Sequence, residues 1–173
     1  MSKKDVERTE INMAETLAHF FSDIIPPELT VFVISLLPVL ELRGGLIAAK
    51  VLGVELIPAM IISLIGTVLP MPFVLLFIRK IFDWLRNTKL VKLVDKLEAK
   101  GKSKIAEIEK YKTFGLLVFV GIPLPGTGAW TGSLAASLMK MPFKNAFVSI
   151  IGGSLLADIL MAIFSYGLLG LFF

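Results

Sequence analysis

Residues 122–137 read IPLPGTGAWTGSLAAS, with two prolines and three glycines inside one of the most apolar regions of the chain. Proline and glycine both weaken a helix interior, so a continuous helix through this stretch would be poor. In hydrocarbon, irregular backbone is tolerated only where protein buries it or water reaches it. The break is therefore read as a working part of a membrane protein.

The composition agrees. Of the 173 residues, 55% are hydrophobic, and the mean hydropathy is +0.82. A soluble domain is about 45–50% apolar even with glycine counted. The excess lies in residues 29–78 and 113–173. The fold class expected is an all-α integral membrane protein of one domain.

A spanning helix needs about 20 apolar residues. Residues 56–78 and 146–170 meet this, the second with one charge, Asp158. Pro70 and Pro72 are expected to kink the first. Residues 29–53 and 113–139 are long enough but broken at their centres. The first carries Pro38, Glu41, Arg43, Gly44 and Gly45. The second carries Pro123, Pro125, Gly126 and Gly128. Each is read as two short half-helices joined by a non-helical turn, a re-entrant hairpin. The other reading is a pair of ordinary spans with breaks.

A shift of 87 residues aligns the two halves. Pro38 meets Pro125, Gly45 meets Gly132, Ala48 and Ala49 meet Ala135 and Ala136, and Gly66 meets Gly153. The order of broken stretch, short loop and full span repeats as well. One span per unit inverts the second copy relative to the first. Inverted repeats with broken helices are a transporter plan.

Charge gives orientation. Residues 79–112 hold eleven Lys/Arg and five Asp/Glu, whereas residues 1–28 hold three Lys/Arg and six Asp/Glu. The positive-inside rule places 79–112 in the cytoplasm, as basic amphipathic helices, with both termini outside. Nucleic acid is not an expected partner. Met1 to Glu28 has no continuous apolar core and does not read as a secretory signal. Residues 9–25 are expected to form an amphipathic helix on the membrane surface, ended by Pro26 and Pro27.

There are no cysteines and a single histidine, His19. No metal site, cofactor or nucleophile–base arrangement is legible, so no enzyme activity is expected. Ionisable residues inside a membrane are expensive and pair or line polar paths. Glu41 and Asp158 are the proton-coupling candidates. Arg43, with its planar fork, suits an anionic head group. Gly44, Gly45, Thr127, Trp130, Thr131 and Ser133 join it as head-group candidates. Two alternatives stand beside this: Glu41 and Arg43 neutralise each other and hold the hairpin, or Asp158 bonds a neighbouring Ser, Thr or Lys50.

The pair LLPVLELRGGLIAA and IPLPGTGAWTGSLAA resembles the "putative small multidrug export" membrane proteins of bacteria and archaea, from about residue 28 onward. That family is in turn similar to the DedA / SNARE-associated superfamily. The resemblance implies paired re-entrant loops in inverted repeats, an inner-membrane location and proton-dependent movement of polyprenyl phosphates or phospholipids. It implies Glu41 as the acid of the first hairpin, and Pro123, Pro125 and Gly126 as the turn of the second. Where DedA-type second hairpins carry arginines, none lies between 113 and 139, and Arg43 would take over that role. The expected function is proton-coupled transport of an amphiphilic anion, with a lipophilic-cation exporter and a membrane scaffold as rivals. So few helices would shield a polar path only as a homodimer.

Overall fold

The computed structural model describes residues 3–22, 24–86, 112–124, 126–139 and 141–167. Among these, every regular element is helical. Helix α1 spans Lys3–Ser22, α2 Pro27–Leu36, α3 Glu41–Val51, α4 Leu56–Val68 and α5 Met71–Arg86. Helix α6 spans Lys112–Gly121, α7 Ala129–Leu138 and α8 Phe143–Ala162, with a π-helical extension over Ile163–Gly167. The expected amphipathic segment 79–112 falls largely outside the described residues, as do Pro125 and Lys140.

Both stretches are broken, but in the first Gly44 and Gly45 lie inside a helix, α3, and only Pro38 stands at the break. Residues 37–40 separate α2 from α3, and residues 122–128 separate α6 from α7. Pro38 lies in the first break. Pro27 opens α2 at a position where a helix needs no N–H from it.

Two helical runs are long and apolar enough to cross a membrane, Leu56–Phe77 and Phe143–Gly167. The first is α4 continued into α5. Pro70 lacks an N–H and Pro72 stands in the next turn, and the helical ladder is interrupted at Leu69–Pro70, where a kink is expected. The second is unbroken, and Lys144 sits in its first turn rather than in the preceding loop.

Small residues set the packing. A β-carbon on Gly66 of α4 would lie 2.9 Å from the Phe32 carbonyl oxygen of α2. One on Gly153 of α8 would lie 2.6 Å from the Leu117 carbonyl oxygen of α6. Each long run therefore meets the first half-helix of its own broken stretch, backbone against backbone, at a glycine. Without a hydrophobic drive between helices in lipid, such close approach is what holds them.

Helix α1 differs from expectation. It begins before residue 9, at Lys3, and it docks on protein. Ala14 and Ala18 are fully buried in a cluster with Ile34, Leu40 and Ala48. Its alanine face is covered by protein.

Candidate functional site

A helix that ends inside an apolar body leaves backbone groups without partners. Here side chains from other elements supply them. The Thr67 hydroxyl of α4 donates to the Ser35 carbonyl in the last turn of α2, at 3.2 Å. At the other break the partners are charged. The Glu41 carboxylate accepts the Ala129 N–H at 3.1 Å and the Trp130 N–H at 3.0 Å. Those are the first two amides of α7, so the carboxylate sits on the positive end of that helix.

Arg43 binds the same region from two residues along. Its Nη1 donates to the Leu124 carbonyl at 2.6 Å. Its Nη2 donates to the Thr127 carbonyl and reaches the Thr127 hydroxyl at 3.1 Å. That hydroxyl lies 2.7 Å from the carbonyls of Ile122 and Leu124. The first broken stretch thus clasps the second, acid on amides and guanidinium on carbonyls. Both side chains are buried, Glu41 at 5% exposure and Arg43 at 9%.

The clasp shapes the backbone around it. Glu41 has φ +49°, in the left-handed region that non-glycine residues rarely occupy. That conformation costs on the order of 1–3 kcal/mol and persists only where the surroundings demand it. Gly128 has φ +131°, and a β-carbon there would overlap the Glu41 carboxylate. Only glycine satisfies both conditions.

The other expected site residues are distributed around this centre. Gly44 is packed under Leu40, and Gly45 under Ser35 and Ser63, so protein fills the space beside both. Thr131 donates to the Gly128 carbonyl at 3.3 Å, closing the turn. Ser133 donates to the Ala129 carbonyl at 2.8 Å and reaches Met71 Sδ at 3.3 Å, away from the clasp. Trp130 contributes its backbone amide to Glu41, while its buried indole N–H has no partner among the described residues. Gly126, at φ +80°, makes the turn. Asp158 lies elsewhere, on α8, where its carboxylate meets the Ser63 hydroxyl of α4 at 3.1 Å.

Sequence reading passed over the acids of α1. A cavity of about 840 Å³ opens between α1, α3, the 122–128 linker and the end of α8. Glu7, Glu15 and Lys50 line it, with Ile11, Ile47, Leu124 and Phe164 among its apolar walls. A smaller recess beside it reaches Glu10, Arg43 and Gly44. Burial pushes the Glu10 carboxyl above the ordinary carboxylate range; the Arg43 charge opposes this and Glu7 adds to it. The spacing of Glu7, Glu10 and Glu15 along a helix was visible, but nothing in the sequence said that α1 docks on α3. Among the described residues, no group of three or more His, Asp or Glu could hold a metal ion.

Apolar helices long enough to span, broken helices whose ends are satisfied by protein, and buried charge in an apolar body together fit a membrane protein. The chain belongs to the family of putative small multi-drug export proteins, whose family model matches residues 41–160. That match begins at Glu41, just after the first break, and covers the second broken stretch and Asp158. No curated relative and no solved structure matches the chain.

Proposed function

We propose that the protein is an exporter of lipophilic cations, with the Glu41–Arg43 clasp as the element that changes state during transport. The observation that carries this is the cavity of about 840 Å³ beside the clasp. Its size suits a drug-sized ligand, and its walls are mostly apolar with a few convergent polar groups. Together with the adjoining recess it offers three carboxylates, Glu7, Glu10 and Glu15, against Arg43 and Lys50. Three carboxylates against two cationic side chains leave the lining acidic on balance.

The clasp supplies a coupling step. A carboxylate on two amides holds them as an anion, and protonating Glu41 weakens that hold. Release of α7 would free the Pro123–Leu124 segment, which lines the cavity. Export against a proton gradient follows if the cation and the proton compete for the closed state.

The inverted-repeat and re-entrant arrangement is part of the proposal. Helices α4 and α8 begin 87 residues apart, at Leu56 and Phe143, and Glu41 and Gly128 are likewise 87 apart. A residue that touches its own counterpart lies beside a two-fold axis, as in any isologous contact. The basic segment after Phe77 then faces the cytoplasm of the inner membrane, with both termini outside, and a second copy in a homodimer helps shield the path from lipid.

A second reading has one observation in its favour. The N-terminus of α7 already binds an anion, the Glu41 carboxylate. A polyprenyl phosphate or phospholipid head group could take that place when Glu41 is protonated.

The test is binding of tetraphenylphosphonium to the full chain in nanodiscs. Expected is saturable binding that weakens about tenfold or more in the Glu7→Gln/Glu15→Gln double variant, one lost charge contact being worth about 1.4 kcal/mol at that ratio. Binding unchanged by those substitutions, or stabilisation by polyprenyl phosphate alone, overturns the cation reading.

A further inference from the structure

Helices α4 and α8 cross at a set of buried oxygens that the clasp does not use. Asp158 is 1% exposed, Ser63 0% and Ser154 1%. The Ser63 hydroxyl lies 3.1 Å from Asp158 Oδ1 and 3.1 Å from the Met60 carbonyl. With Asp158 ionised, both neighbours are acceptors, and a hydroxyl has one proton. One of the two contacts therefore has no hydrogen to make it.

Ser154 stands one helical turn before Asp158, so the two share a face of α8. Its buried hydroxyl oxygen has no hydrogen-bond partner among the described residues. Buried hydroxyls without partners are rare, and each asks for an explanation. Among the described residues, the Ser63 hydroxyl is the hydrogen-bond partner of the buried Asp158 carboxylate. An unpaired carboxylate inside a span costs several kcal/mol. The cluster is short of one positive charge.

We propose that Asp158, Ser63 and Ser154 form a binding site for a sodium ion between α4 and α8. The donors are a carboxylate and two hydroxyls, all hard oxygens with no sulfur or nitrogen. A single carboxylate balances a monovalent cation, whereas divalent ions are held by more acidic shells. The ion satisfies Ser154, lets Ser63 keep its proton for the Met60 carbonyl, and neutralises Asp158. Because it bridges the two long runs, its occupancy favours one arrangement of α8 against α4. Its role as the driving ion rests on the transport reading above; its binding does not.

The experiment is the melting temperature of the full chain in nanodiscs, in sodium, potassium or choline chloride at equal ionic strength and fixed pH. Expected is a saturable rise in sodium only, absent in Asp158→Asn and shifted to about tenfold higher sodium or more in Ser154→Ala, as for loss of a supporting ligand. Ser154→Ala removes an atom with no hydrogen-bond partner among the described residues, so it should fold even if Asp158→Asn does not. Direct uptake of radioactive sodium by the purified protein gives the second readout. Equal melting in all three salts, or a sodium response untouched by Ser154→Ala, overturns the proposal. Stabilisation by lowered pH regardless of the salt assigns the site to a proton and overturns it as well. Failure of tetraphenylphosphonium binding with the sodium response intact would sink the substrate assignment alone.

Discussion

The carboxylate of Glu41 occupies the space in which a β-carbon on Gly128 would have to lie. Each residue thereby fixes the other. Glycine at 128 makes room for the acid, and the acid takes up the amides that follow the glycine. Gly128→Ala is expected to separate α3 from α7 and to lower stability by about 2 kcal/mol, combining strained φ with broken charged hydrogen bonds. Hydrogen exchange at the Ala129 and Trp130 amides should rise sharply in the variant. Unchanged protection there would show that Glu41 is not their partner.

Replacing Glu41 separates charge from shape. Glu41→Gln keeps one carbonyl oxygen for the two amides and should cost about 1.5–3 kcal/mol, the range for hydrogen bonds to charged groups. Glu41→Gly should cost less than Glu41→Ala, because glycine relieves the left-handed backbone. Melting temperatures of the three variants check the order. Alanine as stable as glycine would mean that φ at 41 relaxes freely.

Arg43→Lys is not a conservative change. A lysine ammonium is a point charge and cannot span the Leu124 and Thr127 carbonyls as a planar fork does. The expected result is a loss of about 1–3 kcal/mol and raised exchange across 122–128, from a carbonyl left unpaired. A lysine variant with wild-type stability and protection would remove the clasp from the argument.

The Glu10 carboxyl is raised above its unfolded value, chiefly by burial. A raised carboxyl binds its proton more tightly in the folded state. Its favourable contribution is present at pH below the unfolded pKa and is lost as pH rises through the folded one. Glu10→Gln should therefore stabilise the protein at neutral pH, with the gain fading as pH falls through the folded pKa and gone below about pH 4, near the unfolded value. A gain independent of pH would point to packing instead.

Gly153 lets α8 touch the α6 backbone at Leu117. Gly153→Ala should force the helices apart and cost about 1–3 kcal/mol, as overpacking does. A melting curve of the variant tests it, and a loss under half a kcal/mol would show that α6 yields.

The helical class, the two spans and both breaks were legible because proline, glycine and apolar run length act locally. Glu41 and Arg43 were singled out because charge is costly in an apolar stretch. Their partners were not legible, since Ala129, Trp130, Leu124 and Thr127 offer backbone groups that any residue has. Sequence reading offered mutual neutralisation of Glu41 and Arg43 as one alternative, but it could not tell that each also reaches the other stretch. Asp158 drew notice by its charge, but Ser63 is 95 residues away and looks like any serine in a span. The docking of α1 rests on Ala14 and Ala18, whose small size leaves little periodic signal.

Arg43 grips the second linker by its main chain alone, apart from the Thr127 hydroxyl. A lock that reads backbone does not inspect side chains. Ile122 and Leu124, both exposed, can therefore drift to other residues over evolutionary time without loosening the grip. The glycine at 128 and the arginine at 43 cannot. Divergence between relatives should then collect on the linker that is held and spare the residues that hold it. Libraries randomised at 122 and 124 would measure that tolerance directly.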